Sequence, residues 1–205
     1  MVEQLDSGRV QVEVKRDVHT YAEVWHASQS MLNIASESKR GQQRLFMASV
    51  IFTSFTFEAY LNHIGPEVDP TWTEKKRDRM WIRNKFDHLS QILSVPWAGE
   101  WKAEPLRTVD EVIRFRNAMA HAQSETLEPP PSLHPVDKNP LDDPFYRPLT
   151  EWEKKLADDR FARAARDAVE AALSALHAAR TDRNKERLFV MGGTEASATL
   201  VVPGG

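Results

Sequence analysis

From about Val14 to Glu37 the apolar residues Val18, Tyr21, Val24, Trp25, Leu32 and Ile34 fall roughly on one side of a helical wheel, and Gly41 interrupts the pattern. The next run, "QQRLFMASVIFTSFTFEAYLNHI", is apolar on two faces. Leu45, Phe52 and Ala59 mark one, and Phe46, Val50, Phe57, Leu61 and Ile64 the other. A helix of that kind belongs in the centre of a bundle, with neighbours on both sides. The phenylalanines and β-branched residues between Val50 and Phe57 would also suit a buried strand, but length and the lack of turn signals favour helix.

Gly65-Pro66 and Pro70 are expected to stop this helix. Thr71 with Glu74 has capping-box spacing and predicts a new helix running to about Leu93, before Pro96. Thr108 with Glu111 predicts another, with Val109, Val112, Ile113 and Ala120 turned inward. Thr150 with Glu153 predicts a long one reaching about Ala179 on the stripe Phe161, Ala165, Ala168, Val169, Ala172, Leu173 and Leu176. Near the C-terminus the period changes. Leu188–Met191 and Ala198–Val202 are strand-like around Gly192-Gly193, so a hairpin or an ordered tail is expected, and the alternation at Val10–Val14 could pair with it.

The resulting expectation is an all-α fold, a bundle of about five helices with a small extended C-terminal appendage. Residues 1–182 would form the helical domain and 183–205 the tail or hairpin. Prolines at 129, 130, 131, 135, 140, 144 and 148 make 125–149 a long loop, and loops of that length without structure are uncommon. At 205 residues, 41% hydrophobic and 28% charged, the composition is that of a globular chain with a real core.

A net charge of −3 gives no global basic field, so any nucleic-acid site must be local. The most basic stretch carries Lys75, Lys76, Arg77, Arg79, Arg83 and Lys85 against Glu74, Asp78 and Asp87. It reads either as a solvated helix face or as a phosphate-contacting patch. Cysteine is absent, which removes disulfides, thiolate metal sites and cysteine nucleophiles. The N-terminal "MVEQLDSGRVQVEVKRD" is charged where a signal peptide is apolar, and the uncharged run Leu45–Phe57 is too short to span a bilayer, so a cytoplasmic protein without membrane association is expected. Glycine-rich phosphate loops, H-E-x-x-H and G-x-S-x-G do not occur, and no cofactor or metal is expected. His63 and His88 are isolated, which suits core or surface roles better than ligation.

One segment resists a packing-only account: "RFRNAMAHA", Arg114 to Ala122. Ile113, Asn117 and His121 are spaced i, i+4, i+8 and form one drifting stripe, so Asn117 and His121 sit at the edge of the buried side. Arg116 lies roughly 140° round the helix from His121. His121 falls near the C-terminal end of its helix, where the dipole favours a cation. An imidazole beside a guanidinium suits proton transfer and anion stabilisation at a phosphodiester. The alternative is structural: polar anchors for the following loop, with Arg116 paired to a carboxylate.

The spacing R-N-x-x-x-H, from Arg116 through Asn117 to His121, near the end of a helix in an all-helical chain, resembles the HEPN superfamily signature R-x(4–6)-H. "FTFEAYLNHI" is similar to that family's preceding core helix, and "IRNKFDHLSQIL" sits where many members have a lysine-centred helix. The resemblance covers about Val14 to Ala179 and implies a metal-independent endoribonuclease, used in toxin–antitoxin or antiviral defence. By the same likeness it would act as a homodimer whose two motifs line one cleft. On that likeness His121 would transfer protons, Arg116 would stabilise the phosphate and transition state, Asn117 would orient the site, and Glu58 is a candidate for orienting the cleft, with an antitoxin or defence partner implied. The same fold also serves as a non-catalytic module binding RNA, nucleotide or protein. Members controlled by nucleotidyltransferase antitoxins often carry tyrosine two residues after the histidine; here Gln123 stands there, which argues against that mode of control. The loop at 125–149 is an addition to the minimal fold that could cover the cleft or contact a partner.

Overall fold

The computed structural model describes residues 9–121, 124, 126–128, 134, 140, 147–181 and 187–201. The doubly apolar run folds as helix α2 (Gln42–Val68), and its two faces find the neighbours the pattern requires. Phe57, Tyr60, Leu61 and Ile64 are fully buried against Tyr21 and Trp25 of α1 (Thr20–Glu37), Phe86 and Leu89 of α4 (Ile82–Ile92), and Val109 and Ile113 of α5 (Leu106–Ala120). Val169, Leu173 and Leu176 of α7 (Arg160–Ala179) complete that cluster. Towards the other end Phe46 and Val50 pack with Leu32, Val112, Phe115, Leu156 and Ala165. Two short helices, α3 (Glu74–Arg79) and α6 (Glu151–Lys155), complete the seven among the described residues. The fold is therefore an all-α bundle of five longer helices with a small extended appendage. By length and composition α2 would also pass as a membrane span; half of that apolar window is buried inside the bundle.

Small hydroxylated residues let α1 and α2 approach closely. Ser28 Oγ donates to the Ser49 carbonyl (3.0 Å) and lies 2.8 Å from Thr53 Oγ1, which itself donates to Ser49 O (2.8 Å). These buried hydroxyls are paired, so the contact carries little desolvation cost.

Helix α2 runs through the expected stop at Gly65-Pro66 and ends at Val68. Pro66 lies in the last turn and forgoes the bond its N–H would make to the Asn62 carbonyl, and the helix ends two residues later. Gly65 is required for another reason: a Cβ there would collide with the Trp72 indole. The next helix opens later than Thr71 suggests, because Asp69 Oδ1 already accepts from the Thr71 N–H (2.8 Å) and hydroxyl (2.7 Å). Thr73 caps instead, its hydroxyl accepting from Lys76 N at 3.1 Å. The single helix expected up to Leu93 is two, separated by Met80 and Trp81 in extended conformation.

Helix α5 also opens elsewhere than expected. Pro105 occupies its N-cap, and the Thr108 hydroxyl donates to Glu104 Oε2 (2.8 Å) rather than capping. The box at Thr150 and Glu153 forms as its spacing requires, each side chain accepting from the other's backbone N–H (3.2 and 2.9 Å). The helix it opens is short, and α7 begins after a break at residues 156–159.

The appendage joins both ends of the chain. Strand β1 (Arg9–Arg16) pairs antiparallel with β2 (Thr194–Val201), Val12 opposite Ala198 and Val14 opposite Ala196. The segment leading into β2 is fastened to α1. The Phe189 ring stacks on Trp25 (centroids 4.2 Å apart), His26 Nε2–H donates to the Phe189 carbonyl (3.0 Å) and His19 Nδ1–H to that of Val190 (3.1 Å).

Candidate active site

Residues of α2, α5 and the α3–α4 junction line an open cleft of about 850 Å³. Glu58 of α2, residues 78–84 at the α3–α4 junction, and Asp110, Ile113, Arg114, Arg116, Asn117 and His121 of α5 and its C-cap line it. All four residues singled out in the sequence thus share one concavity within a single chain. Ile113, Asn117 and His121 reach it as the i, i+4, i+8 stripe requires. His121 is the C-cap residue: its backbone N–H donates to Asn117 O (3.0 Å), and its side chain is exposed.

Arg116 reaches the cleft from its less favourable angle because a carboxylate anchors it. Its Nη2 donates to Glu58 Oε2 at 2.6 Å, and the guanidinium lies 5.7 Å from the Phe55 ring centroid. Arg116 Nε is buried without an acceptor among the described protein atoms. The other oxygen of Glu58 accepts from Lys85 Nζ (3.1 Å), which also donates to Asn62 Oδ1 (3.0 Å). Two cations therefore share one carboxylate, leaving a net positive charge at the base of the cleft. Lys85 is only 3% exposed, so its charge depends on Glu58 and Asn62 for solvation.

Nearby, Asp110 is held from two sides, by Arg83 and by Arg114 Nε (2.9 Å). Arg83 also lies over the Trp101 ring at 5.2 Å. Four arginines and three carboxylates line the cleft.

Most of the basic stretch resolves into ion pairs. Lys76 meets Asp69, Arg77 meets Asp78, Arg83 meets Asp110 and Lys85 meets Glu58. Arg79 has no carboxylate partner among the described residues and lines the cleft. The histidines read as isolated have structural surroundings. His88 Nε2 is 2.8 Å from Asp69 Oδ2, and His63 contacts the rings of His19 and Tyr21. The hydrogen bond from Lys76 holds the Asp69 carboxyl well below the usual carboxylate range against its burial, with His88 and Thr71 adding to the effect.

Asp110 and Trp81 line the cleft, and Lys85 with Asn62 backs Glu58 from behind it, although the motif contains none of them. A signal existed for two. Lys85 occupies an i+3 position in the stripe Ile82, Phe86, Leu89, and Asp110 interrupts Leu106, Val109, Ile113 in the same way. A charge on an apolar stripe must find a partner inside. Gln123 and most of the loop 125–149 lie outside the described residues, as do 1–8, 182–186 and 202–205. Among the described residues, no three His, Asp or Glu side chains gather as metal ligands would.

Compared with known proteins, the chain matches no family model, no curated protein and no solved structure.

Proposed function

We propose that this protein is a metal-independent endoribonuclease of the HEPN type, cleaving RNA in toxin–antitoxin or antiviral defence. The observation supporting this reading is the convergence of Arg116, Asn117, His121 and Glu58 on one open cleft with net positive charge at its base. In the reaction the ribose 2′-hydroxyl attacks the adjacent phosphorus. The O2′–P bond forms, the P–O5′ bond breaks, and the departing oxygen takes up a proton. His121, exposed at the cleft edge, takes the proton that the 2′-hydroxyl gives up and passes it to the departing 5′-oxygen, so that no proton is gained or lost overall. Arg116, with one arm fixed by Glu58, keeps other N–H groups for the charge that builds on the phosphoryl oxygens. Asn117 orients the site, and Glu58 and Lys85 set the guanidinium's direction. The products are a 2′,3′-cyclic phosphate and a 5′-hydroxyl.

The test is cleavage of single-stranded RNA by purified protein in chelator. Wild type is expected to cut, and Arg116→Ala and His121→Ala to lose about 10²-fold or more while staying folded. Cleavage that survives both substitutions would refute the assignment. A homodimer, which the sequence resemblance implies, would set two such clefts together across a two-fold axis, and light scattering tests it. The second reading, a module that binds RNA, nucleotide or protein without cutting, is favoured by one observation: Glu58 already occupies part of Arg116. Stable RNA binding by wild type without turnover would select it.

A further inference from the structure

Trp81 stands apart from the other tryptophans. It is 77% exposed, whereas Trp25, Trp72, Trp97, Trp101 and Trp152 are buried or half-buried. A single exposed aliphatic residue needs no explanation, but an indole in water forgoes one of the largest burial gains a side chain can make. Its place in the fold is equally specific. It sits in the extended junction between α3 and α4, at the N-cap of α4, and lines the cleft that holds Arg116 and His121. With helices on both sides of the junction, the backbone that carries the indole is fixed at either end.

The neighbouring charges give this aromatic a ligand class. Arg79, two residues before it, has no carboxylate partner among the described residues. Arg83 and Arg114 share Asp110 and keep further N–H groups. An open aromatic face in a cleft that also carries cations can hold single-stranded nucleic acid: the ring stacks on a base while the cations follow the backbone. A duplex would not serve, because its bases are already stacked. A cleft of about 850 Å³ accommodates a ligand of nucleotide size.

We infer that Trp81 is a stacking platform for an unpaired nucleobase of the RNA strand, with Arg79 contacting that strand's backbone. This rests on the ribonuclease reading for the identity of the ligand and extends it: the cleft takes single-stranded RNA, and one base flanking the reacting phosphate is held on the rim by stacking. Because every base has a π-face, the preference conferred is for unpaired strands over duplexes rather than for one sequence.

The experiment uses the full chain carrying His121→Ala, a fluorescein-labelled 12-nucleotide RNA, the same strand with one abasic position walked along it, and its duplex. Anisotropy is expected to show tighter binding of the single strand than of the duplex. Trp81→Ala is expected to weaken single-strand binding about 5- to 100-fold, and Trp81→Phe far less. One abasic position should weaken binding similarly, and should do so only when Trp81 is present. Arg79→Ala should weaken binding of all strands alike and lower the salt dependence by about one ion. Trp81→Ala that binds single strands as tightly as Trp81 does would overturn the inference, even if His121 and Arg116 prove essential for cleavage. Loss of binding in Trp81→Ala without any cleavage by wild type would keep the platform and refute the enzyme. Should Trp81→Ala instead convert a dimer to a monomer of unchanged RNA affinity, the indole is a contact between copies of this chain and the platform is refuted.

Discussion

Glu58 and Arg116, on different helices and 58 residues apart in the chain, meet at 2.6 Å at the base of the cleft. The contact converts an awkward angular position on α5 into a directed one. A long arginine side chain loses considerable rotamer freedom when fixed, and the carboxylate offsets that loss through a charge-assisted bond. Since Glu58 also holds the buried Lys85, the same carboxylate couples the stability of the bundle to the geometry of the site.

That coupling predicts an asymmetry between two substitutions. Glu58→Gln keeps an oxygen that can accept from Lys85 but removes the only negative charge paired with Lys85 and Arg116 among the described residues, and is expected to cost about 3 kcal/mol. Lys85→Met removes the buried cation and leaves the Glu58–Arg116 pair intact, so it is expected to be far milder, under about 1.5 kcal/mol. Urea denaturation of the two variants checks the order. Equal losses would mean that Lys85 is solvated by something other than this carboxylate.

Arg116 and His121 are expected to separate stability from activity. His121 is exposed at a helix end, so His121→Ala should change stability by less than about 0.5 kcal/mol while removing about 10²–10⁴-fold of cleavage. Arg116→Lys should not rescue. A lysine can hold Glu58 or face the phosphate, but it lacks the planar fork that does both. Single-turnover cleavage with thermal melting measures the two effects side by side.

Much of this was legible in the sequence and some was not, for physical reasons. The two-faced pattern of residues 42–64 required a central helix, and the stripe Ile113, Asn117, His121 required one shared face; both are local periodicities. Helix boundaries were harder, because a side chain cannot show from sequence which partner it takes. Thr71 has capping-box spacing, yet Asp69, two residues earlier, captures its hydroxyl, and the cap passes to Thr73. Arg116 and Glu58 had no local signal joining them, since their contact depends on how α2 packs on α5. Lys85 and Asp110 did announce themselves as charges on apolar stripes, but their partners are on other helices. The cleft's tryptophan is silent in sequence: nothing in "RDRMWIRN" distinguishes an exposed indole from a buried one.

Acid sensitivity should concentrate at Asp69. Its folded-state carboxyl is held below the usual range, chiefly by the bond from Lys76, so the ionised form is favoured by folding. That contribution is full above about pH 4, the unfolded-chain value, and is lost as pH falls through the lower folded-state value. Asp69→Asn should therefore melt well below wild type at about pH 7, with the gap narrowing below about pH 4. A gap that stays constant down to about pH 2 would mean the carboxylate's charge contributes nothing.

The two-stranded ribbon is fastened to the bundle by Phe189 on Trp25 and the two histidine bonds beside it, with Leu188 packed on the core and Arg16 facing Glu23. A two-stranded sheet has little stability of its own, so its persistence should depend on that fastening. Phe189→Ala removes the stacked ring, a loss of about 0.5–1.5 kcal/mol beyond the area buried, and leaves the core cluster around Phe57 and Leu61 in place. Hydrogen exchange is expected to accelerate across residues 9–16 and 194–201 while the amides of α2 keep their protection. RNA cleavage should be unchanged, because no residue of the ribbon lines the cleft. Faster exchange in α2 would instead make the ribbon part of the bundle's cooperative unit, and protection retained in both strands would show that their pairing stands without the Trp25 contact.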